Sequence, residues 1–225
     1  MVVARLAGAE SRPFHHLAQE ITRDEAMNFT FITRCYTTER LDRIKQNVAD
    51  TFRDTEHTYR HCIIADLTHG TPLDSFIRFN DYRTFVTYVK EKDRSDPQCS
   101  VGMDKTLAPL VPVGDMDYVF VLDDDNLLHP DFLSVCDACH GEDAIIFKIE
   151  GRPELGNPSI LNMYAVGHID WANYITKLEI MQRIKIYHLD GPLRCSDGVF
   201  FEHMKNEHCT FKFIDSVNAW YNRLR

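Results

Sequence analysis

Three consecutive aspartates, Asp123, Asp124 and Asp125, directly follow an apolar, β-prone stretch at residues 118–122. Side chains two apart on an extended strand project to the same side, so Asp123 and Asp125 can converge while Asp124 points away. Convergent carboxylates repel each other, and a divalent cation with a preference for oxygen ligands, Mn²⁺ or Mg²⁺, removes that repulsion. Water and the phosphates of a nucleotide diphosphate would complete the coordination of such a cation. A solvated acidic turn is the alternative, because Asp and Asn also favour turns.

The segments around this triplet predict alternating strands and helices. The predicted strands are residues 28–36, 61–65, 84–89, 118–122 and 143–150. A helix with Leu41, Ile44, Val48 and Phe52 on one face follows the first strand, and a short helical piece is expected at 103–113. Continuous apolar strands that alternate with helices predict an α/β fold, with a mostly parallel central sheet of about six strands flanked by helices.

In such sheets ligands bind beyond the carboxyl ends of the strands. Residues 33–36 lie at the end of the first predicted strand, and Asp66 and the aspartate triplet directly follow two others, so we expect them to gather at one edge of the sheet. This edge is the predicted functional site.

The second half of the chain also carries helix and strand signals. One helix is expected to begin at Pro130, and another, capped by Asp170, to carry Trp171, Ile175, Leu178 and Met181 or Gln182 on one face. A strand-like stretch at 185–189, a last helix at 199–207 and a mixed aromatic tail complete the pattern. We expect an extension at 1–26 and one domain at 27–225, composed of two halves, 27–126 and 127–225.

Composition excludes several classes of function. The formal net charge of −9 on 225 residues argues against a nucleic-acid binder held by phosphate contacts. No apolar run approaches the roughly 20 residues needed to span a bilayer.

Seven scattered cysteines are typical of reduced thiols in a cytoplasmic protein. Cys136 and Cys139 lack a second pair of ligands for zinc and are interpreted as thiols on the helix begun at Pro130.

Three chemistries use an acidic strand end of this kind. A phosphatase of the haloacid dehalogenase type would have Thr or Val two places after the second Asp. This chain instead has Leu127 after Asn126. A nucleotidyltransferase would have a glycine-rich loop after the first strand, and residues 33–40 contain no glycine. Glycosyl transfer from a nucleotide sugar is the third, and there a metal neutralises charge on the leaving diphosphate.

Residues 120–126 (FVLDDDN), followed by HPDFL at 129–133, resemble the DxD segment of GT-A glycosyltransferases, and the resemblance extends from about residue 28 to the end. The chain also resembles small glycosyltransferases encoded by large algal viruses, which build capsid glycans. The resemblance implies a metal-dependent hexosyltransferase that moves a sugar from a UDP-sugar to a glycan or glycoprotein. Asp123 and Asp125 would bind Mn²⁺ or Mg²⁺.

The resemblance also assigns roles to single residues. Thr33, Arg34, Tyr36, Asp66, Lys105 and Asp124 would hold the nucleotide, with Asp66 on the uracil. The sugar and the acceptor would be contacted by Asp170, Asn173, Lys177 and Asp197. Residues 27–126 would thus form the nucleotide-binding half and residues 127–225 the sugar and acceptor half. Asp197 would suit an inverting base, and in a retaining enzyme the same position would hold the sugar. His203 and His208 are candidates for a third metal ligand.

Simpler roles remain open for several of these residues. Asp170 and Asp197 could be helix caps, Asp66 could end a strand at a turn, and Lys105 could be a solvated helix residue. Two other functions also remain. One is a catalytically inactive nucleotide-sugar or glycan-binding module within a longer multidomain polypeptide, and the other is a metal-dependent phosphohydrolase.

Overall fold

Eight strands form one mixed sheet in the residues that the computed structural model describes, which are 26–89, 100–112, 114–184 and 196–224. The strands are β1 (Asn28–Cys35), β2 (Thr58–Asp66), β3 (Thr84–Val89), β4 (Asp117–Val121), β5 (Leu127–Leu128), β6 (Ala144–Glu150), β7 (Tyr174–Lys177) and β8 (Phe211–Trp220). The helices are α1 (Leu41–Thr51), α2 (Leu73–Ile77), α3 (Ser100–Leu107), α4 (Ser134–Ala138), α5 (Pro158–Leu161), α6 (Leu178–Arg183) and α7 (Ser196–Asn206). The strand order across the sheet is β3-β2-β1-β4-β7-β6-β8-β5.

The first half of the sheet is parallel. Strand β1 pairs with both β2 and β4 in parallel, and β2 pairs in parallel with β3. All five residues of β4 are buried, as expected for a central strand covered on both faces. The carboxyl ends of β1, β2 and β4 therefore lie at one edge of the sheet, and the predicted α/β architecture is confirmed.

The second half of the sheet corrects one prediction. The helix expected from Asp170 to Met181 or Gln182 is instead a 3-10 turn at Trp171–Asn173, then strand β7, and only then helix α6. Strand β7 runs antiparallel between β4 and β6 and is almost wholly buried. Its β-prone residues gain a strand partner on each side, which local helical spacing does not reveal.

The chain after residue 184 also differs in part from the prediction. The aromatic tail contains strand β8, which pairs in parallel with β6 across two register shifts. The last helix begins at Ser196, a few residues before the predicted start. The predicted strand at 185–189 lies outside the described residues. The halves 27–126 and 127–225 share one sheet through the pairing of β4 with β7, and their division stays a prediction.

Apolar side chains cover both faces of the sheet. On one face, helix α1 packs Leu41, Ile44 and Val48 against a cluster of aromatic rings. This cluster comprises Phe29, Phe31, Phe52, Phe120, Phe132 and Phe147. Residues of α3, α6 and α7 form the core on the other face. None of the described helices combines the length and the apolar composition that crossing a bilayer requires.

The cysteines of the described residues are free thiols. Cys136 lies on helix α4, and Cys139, just after that helix, lies 2.9 Å from the Tyr118 hydroxyl. Burial raises the pKa of Cys136 to about 12, which keeps this thiol protonated and unreactive. The interpretation as a helix thiol is thus confirmed for Cys136, whereas Cys139 lies in extended backbone just past the end of the helix.

Candidate active site

An arginine and an aspartate form the centre of the candidate site. The Arg34 side chain donates from Nε to Asp123 Oδ1 at 2.8 Å and from Nη2 to Asp123 Oδ2 at 2.7 Å. The strand register brings them together, because Ile32 of β1 pairs with Val121 of β4 and each residue of the ion pair lies two positions further on. Both oxygens of the Asp123 carboxylate are therefore engaged by one guanidinium.

Thr33 fixes the ends of these two strands to each other. Its side chain is fully buried, and its hydroxyl donates to the Leu122 carbonyl oxygen at 2.8 Å. The same hydroxyl lies 2.8 Å from His61 Nε2. Burial lowers the pKa of His61 to about 3, so the imidazole is neutral. Thr33 thus positions the strand ends, and a direct contact with a nucleotide stays a prediction.

Asp170 enters the site from the turn before β7. Its side chain accepts from the Ala172 N–H at 2.9 Å, and the Asn173 side chain accepts in return from the Asp170 N–H at 2.9 Å. Burial and the negative charge of Asp123 raise the pKa of Asp170, while the hydrogen bond from Ala172 opposes them. The capping role left open by the sequence is therefore real, and it holds the carboxylate in a buried position.

Asn173 and Lys177 are not brought to the site as expected. Asn173 is fully buried and donates to the Phe147 carbonyl oxygen at 3.1 Å, so it orients Asp170 instead of facing a substrate. Lys177 pairs with Tyr118 at the start of β4, which is the edge of the sheet opposite to Asp123. The expectation failed because β7 is a strand that runs away from the site, whereas a helix was predicted.

Asp197 lies in the first turn of α7 and is the most perturbed carboxylate of the site. Burial and the charge of Asp170 raise the pKa of Asp197 to about 7, against the lowering effects of the Gly198 N–H and of Arg34. The Gly198 N–H donates to Asp197 Oδ1 at 2.7 Å. The Tyr174 hydroxyl donates to the backbone oxygen of Asp197 at 3.3 Å, which joins the start of α7 to strand β7.

Gly198 allows this close approach. A Cβ atom at residue 198 would lie 2.5 Å from Val166 Cα and 2.8 Å from the Ala165 carbonyl oxygen, both of them backbone atoms that cannot yield easily. Only glycine lets α7 pack this tightly against the preceding loop. The position of Asp197 therefore depends on its neighbour.

Contrary to the prediction, the triplet does not continue the extended strand, because the Asn126 N–H donates to the Asp123 carbonyl oxygen at 3.0 Å and closes a turn. The other two aspartates of the triplet have different surroundings. Asp124 Oδ1 lies 3.8 Å from Arg40 Nη1, so Asp124 and Asp123 pair with different arginines. Asp125 is 7% exposed, and its backbone oxygen accepts from the Leu224 N–H at 3.0 Å. A turn near the end of the chain thus supports Asp125, which sequence reasoning did not anticipate.

The donor set fits a hard divalent cation bound together with phosphates. Asp123 and Asp125 offer carboxylate oxygens, and no three His, Cys, Asp or Glu side chains form a metal cluster in the described ranges. His203 and His208 are thus not grouped with these aspartates. The Asn222 backbone N–H donates to the Asn126 side chain at 2.9 Å, and the buried Asn222 Oδ1 has no hydrogen-bond partner in the described part of the chain. Mg²⁺-type sites with one or two protein carboxylates draw their other ligands from substrate phosphates and water.

A second group of side chains follows β2. Asp66 Oδ1 accepts from the Thr68 N–H at 2.8 Å and from the Thr68 hydroxyl at 2.6 Å, so Asp66 caps a 3-10 turn. Asp66 Oδ2 lies 3.6 Å from His69 Nε2. The Tyr36 ring, 47% exposed, lies 5.0 Å from the His69 ring, centroid to centroid. A carboxylate and two aromatic rings thus meet at the ends of β1 and β2, and His69 is a residue that sequence reasoning missed.

Two features lie outside these groups. Lys105 is exposed on α3, and its nucleotide role stays a prediction. An open hollow of about 750 Å³ lies between α1 and Trp220, and none of the carboxylates of the candidate site lines it. The candidate residues therefore lie at the edge of the sheet, outside this hollow.

No protein-family model matches the chain. No curated protein matches its sequence either. Solved structures do match, and they show an α/β fold of the GT-A type, as the sequence predicted. Identities of 13% support the fold and nothing finer.

Three of these structures are informative. S. aureus TarS 1-349 has a TM-score of 0.60 at 13% identity, over 87% of this chain and 60% of that one. The mannosyltransferase PcManGT from Pyrobaculum calidifontis, in complex with GDP-Man and Mn²⁺, has a TM-score of 0.60 at 13% identity, over 88% and 57%. Glucosyl-3-phosphoglycerate synthase from Mycobacterium tuberculosis, in complex with Mn²⁺, UDP and phosphoglyceric acid, has a TM-score of 0.52 at 13% identity, over 88% and 72%. The present chain spans less than two thirds of the length of the first two.

Proposed function

We propose that this protein is a metal-dependent glycosyltransferase that moves a sugar from a UDP-sugar to a hydroxyl of a glycan or glycoprotein. One observation carries the proposal. Asp197, with its pKa raised to about 7, shares the carboxyl edge of the parallel strands with Asp170 and the Arg34–Asp123 pair. A proton acceptor thus stands beside groups suited to a cation and a diphosphate.

The donor would bind across the ends of β1, β2 and β4. Asp123 and Asp125 would hold Mn²⁺ or Mg²⁺, which when bound neutralises charge on the leaving diphosphate. Tyr36 and His69 would stack on the base, and Asp66 would accept from the uracil N–H. Arg34 would contact the diphosphate, because a guanidinium recognises phosphate oxygens bidentately. The resemblance adds Lys105 and Asp124 to the nucleotide contacts.

Transfer would need a proton acceptor for the attacking hydroxyl. As the acceptor oxygen bonds to the anomeric carbon of the sugar, its proton would pass to the Asp197 carboxylate. The bond between that carbon and the diphosphate oxygen would break, with its electron pair leaving on UDP. A pKa near 7 suits this role, because a general base is most effective when its pKa lies near the operating pH. Asp170 would keep the pKa of Asp197 high through its charge.

The matched structures support the donor class in general terms. One of them holds GDP-Man with Mn²⁺, and another holds UDP with Mn²⁺ or with Mg²⁺. Uridine is favoured over guanosine here by Asp66 alone. The structures named above lend no support to the resemblance to algal viral enzymes, so a capsid glycan as acceptor rests on the sequence resemblance.

The direct test is a donor panel. UDP-, GDP- and CMP-sugars are incubated with the protein and a mixed glycan acceptor, with Mn²⁺ or with EDTA, and products are identified by mass spectrometry. The expected result is glycan extended by one sugar, with UDP-sugars and Mn²⁺ only. Hydrolysis of the donor to UMP and sugar 1-phosphate, at the same rate without acceptor, would indicate a phosphohydrolase. Saturable UDP-sugar binding without turnover would indicate a binding module.

A further inference from the structure

We infer that Arg34 is a built-in counter-cation that occupies Asp123 in the metal-free protein and competes with the divalent cation for this carboxylate. The inference rests on the proposed function, because it concerns the cation and the diphosphate of the donor. In the absence of a diphosphate, the divalent cation binds weakly to the protein. Tight binding requires a diphosphate that draws Arg34 away.

The geometry of the Arg34–Asp123 ion pair places the guanidinium where a cation on Asp123 would bind. Both carboxylate oxygens of Asp123 accept from Arg34, at 2.8 and 2.7 Å, in a planar, two-bond arrangement. The arginine side chain is 13% exposed and that of the aspartate 28%, so water screens the pair only partly. A divalent cation on the same carboxylate would lie against the guanidinium, and two positive charges in a partly buried site repel each other strongly.

The charge balance of the site carries the second step. Arg34 lowers the pKa of both Asp170 and Asp197, whereas Asp123 raises the pKa of both. The positive charge of Arg34 therefore acts on three carboxylates from separate parts of the chain. Without it these carboxylates would attract a cation more strongly. Arg34 thus reduces the affinity of the free protein for divalent metal.

The donor supplies an alternative partner for Arg34. Arginine forms bidentate hydrogen bonds with phosphate as readily as with carboxylate. A diphosphate would thus release Asp123 for the metal while it engages Arg34. Metal and nucleotide should strengthen each other's binding, and by thermodynamic linkage the factor is the same in both directions.

The test measures Mn²⁺ binding without turnover, from the electron paramagnetic resonance signal of free Mn²⁺, with and without UDP. Arg34→Met should bind Mn²⁺ alone at least tenfold more tightly than wild type, and UDP should improve this affinity much less than in wild type. Arg34→Lys keeps the charge but loses the two-bond geometry, so it should fall between them. Arg40→Met is the matched control, since it removes one positive charge beside Asp124, and it should stay within about twofold of wild type.

A second comparison assigns the gain to Asp123. Adding Asp123→Asn to Arg34→Met should abolish the increase in Mn²⁺ affinity. Unchanged or weaker Mn²⁺ binding in a folded Arg34→Met protein would overturn the inference, and so would an equal gain in Arg40→Met. Should Arg34→Met unfold, as judged by circular dichroism, Arg34→Lys decides alone: equality with wild type would refute the competition. A protein that shows this binding pattern but transfers no sugar would disprove the proposed function and leave the competition standing.

Discussion

The charge of Asp170 raises the pKa of Asp197, although Asp170 caps the turn before β7 and Asp197 lies in the first turn of helix α7. Burial is the larger cause, and together the two effects bring the pKa of Asp197 to about 7. The sheet fixes Asp170, and the packing of helix α7 fixes Asp197. The charge of Asp170 can therefore set the proton affinity of Asp197. A pH profile can detect this coupling.

The first prediction concerns the acid limb of that profile. If Asp197 accepts the proton, kcat/KM for the UDP-sugar should fall as the pH drops below about 7, because the protonated carboxyl cannot act. Asp170→Asn removes the neighbouring charge, so the limb should move to lower pH, by about one unit. Asn caps a turn as well as Asp does, so the fold should be retained. An acid limb that stays at the same pH in Asp170→Asn would show that the two carboxylates are not coupled during catalysis.

The second prediction separates catalysis from binding at Asp197. Asp197→Asn should lower transfer by about 10²–10⁴-fold, since an amide keeps the shape but cannot take a proton. UDP affinity in the presence of Mn²⁺ should stay near the wild-type value. Lys177→Met, which removes a charge at the opposite edge of the sheet, is the control and should leave transfer unchanged. Full activity in Asp197→Asn would remove Asp197 from the catalytic groups and leave it as a structural residue in the first turn of α7.

The same variant should be more stable than wild type at neutral pH. The pKa of Asp197 is about 7 in the folded protein and near the ordinary 3.8 in the unfolded chain. The folded wild type therefore loses stability as the pH rises from about 4 to 7, because burial of the charged form is unfavourable. Asp197→Asn lacks this loss, so its advantage should grow over that range to roughly 1–4 kcal/mol. Denaturant unfolding at pH 4.5 and pH 8 measures it, and an equal difference at both would contradict the raised pKa.

Sequence patterns predicted the first half of the fold better than the second. Strands β1, β2, β3 and β4 and helix α1 carry signals in their own residues, namely apolar runs and a helical stripe. Strand β7 carries no apolar run, and its four β-prone residues are fixed as a strand by pairing with β4 and β6. The error at β7 also misplaced Lys177, since a helix from Asp170 would have kept both residues near the site.

The candidate site shows the same division. The positions of Asp66, Asp123 and Arg34 followed from the rule that strand ends share an edge. The hydrogen bonds that occupy Thr33 and Asn173 could not be predicted, because their partners lie far away in the chain. The sequence held one signal for His69, namely its position directly before a glycine. Gly70 has a φ of 89° and closes the turn that Asp66 caps.

The third prediction tests recognition of the base. Asp66→Asn keeps an oxygen for the Thr68 N–H, so the turn should survive, but it replaces the second carboxylate oxygen with an N–H₂ donor. UDP affinity should fall about ten- to a hundredfold, the cost of losing a hydrogen bond to a charged group. The preference for UDP over CDP should narrow, because cytosine N3 accepts where uracil N3 donates. Calorimetry with both nucleotides measures this, and Thr68→Val, which keeps the carboxylate, serves as control. An unchanged UDP affinity would leave Asp66 with its capping role alone.

The fourth prediction concerns Gly198. An alanine at residue 198 would place Cβ 2.5 Å from Val166 Cα, so helix α7 must shift. The cost should be about 1–3 kcal/mol in unfolding free energy, together with a loss of transfer that exceeds the loss of UDP affinity. Gly114→Ala, where a Cβ would meet nothing within 4 Å, is the matched control and should be near neutral. Wild-type stability in Gly198→Ala would mean that the contact with Val166 is looser than the structure indicates.

The antiparallel pairing of β4 with β7 also bears on how such proteins can be recombined. Tyr118 pairs with Lys177 and Val119 with Thr176, so the strand that leads to Asp123 is hydrogen-bonded to a strand that begins just after Asp170. A chimera that joins the first half of one such protein to the second half of another must therefore match a strand register as well as a splice point. A slip of one residue would turn the side chains of β7 to the opposite faces of the sheet. It would also move Asp170 away from Asp197, so that a well-folded hybrid would lose the coupling between these two carboxylates.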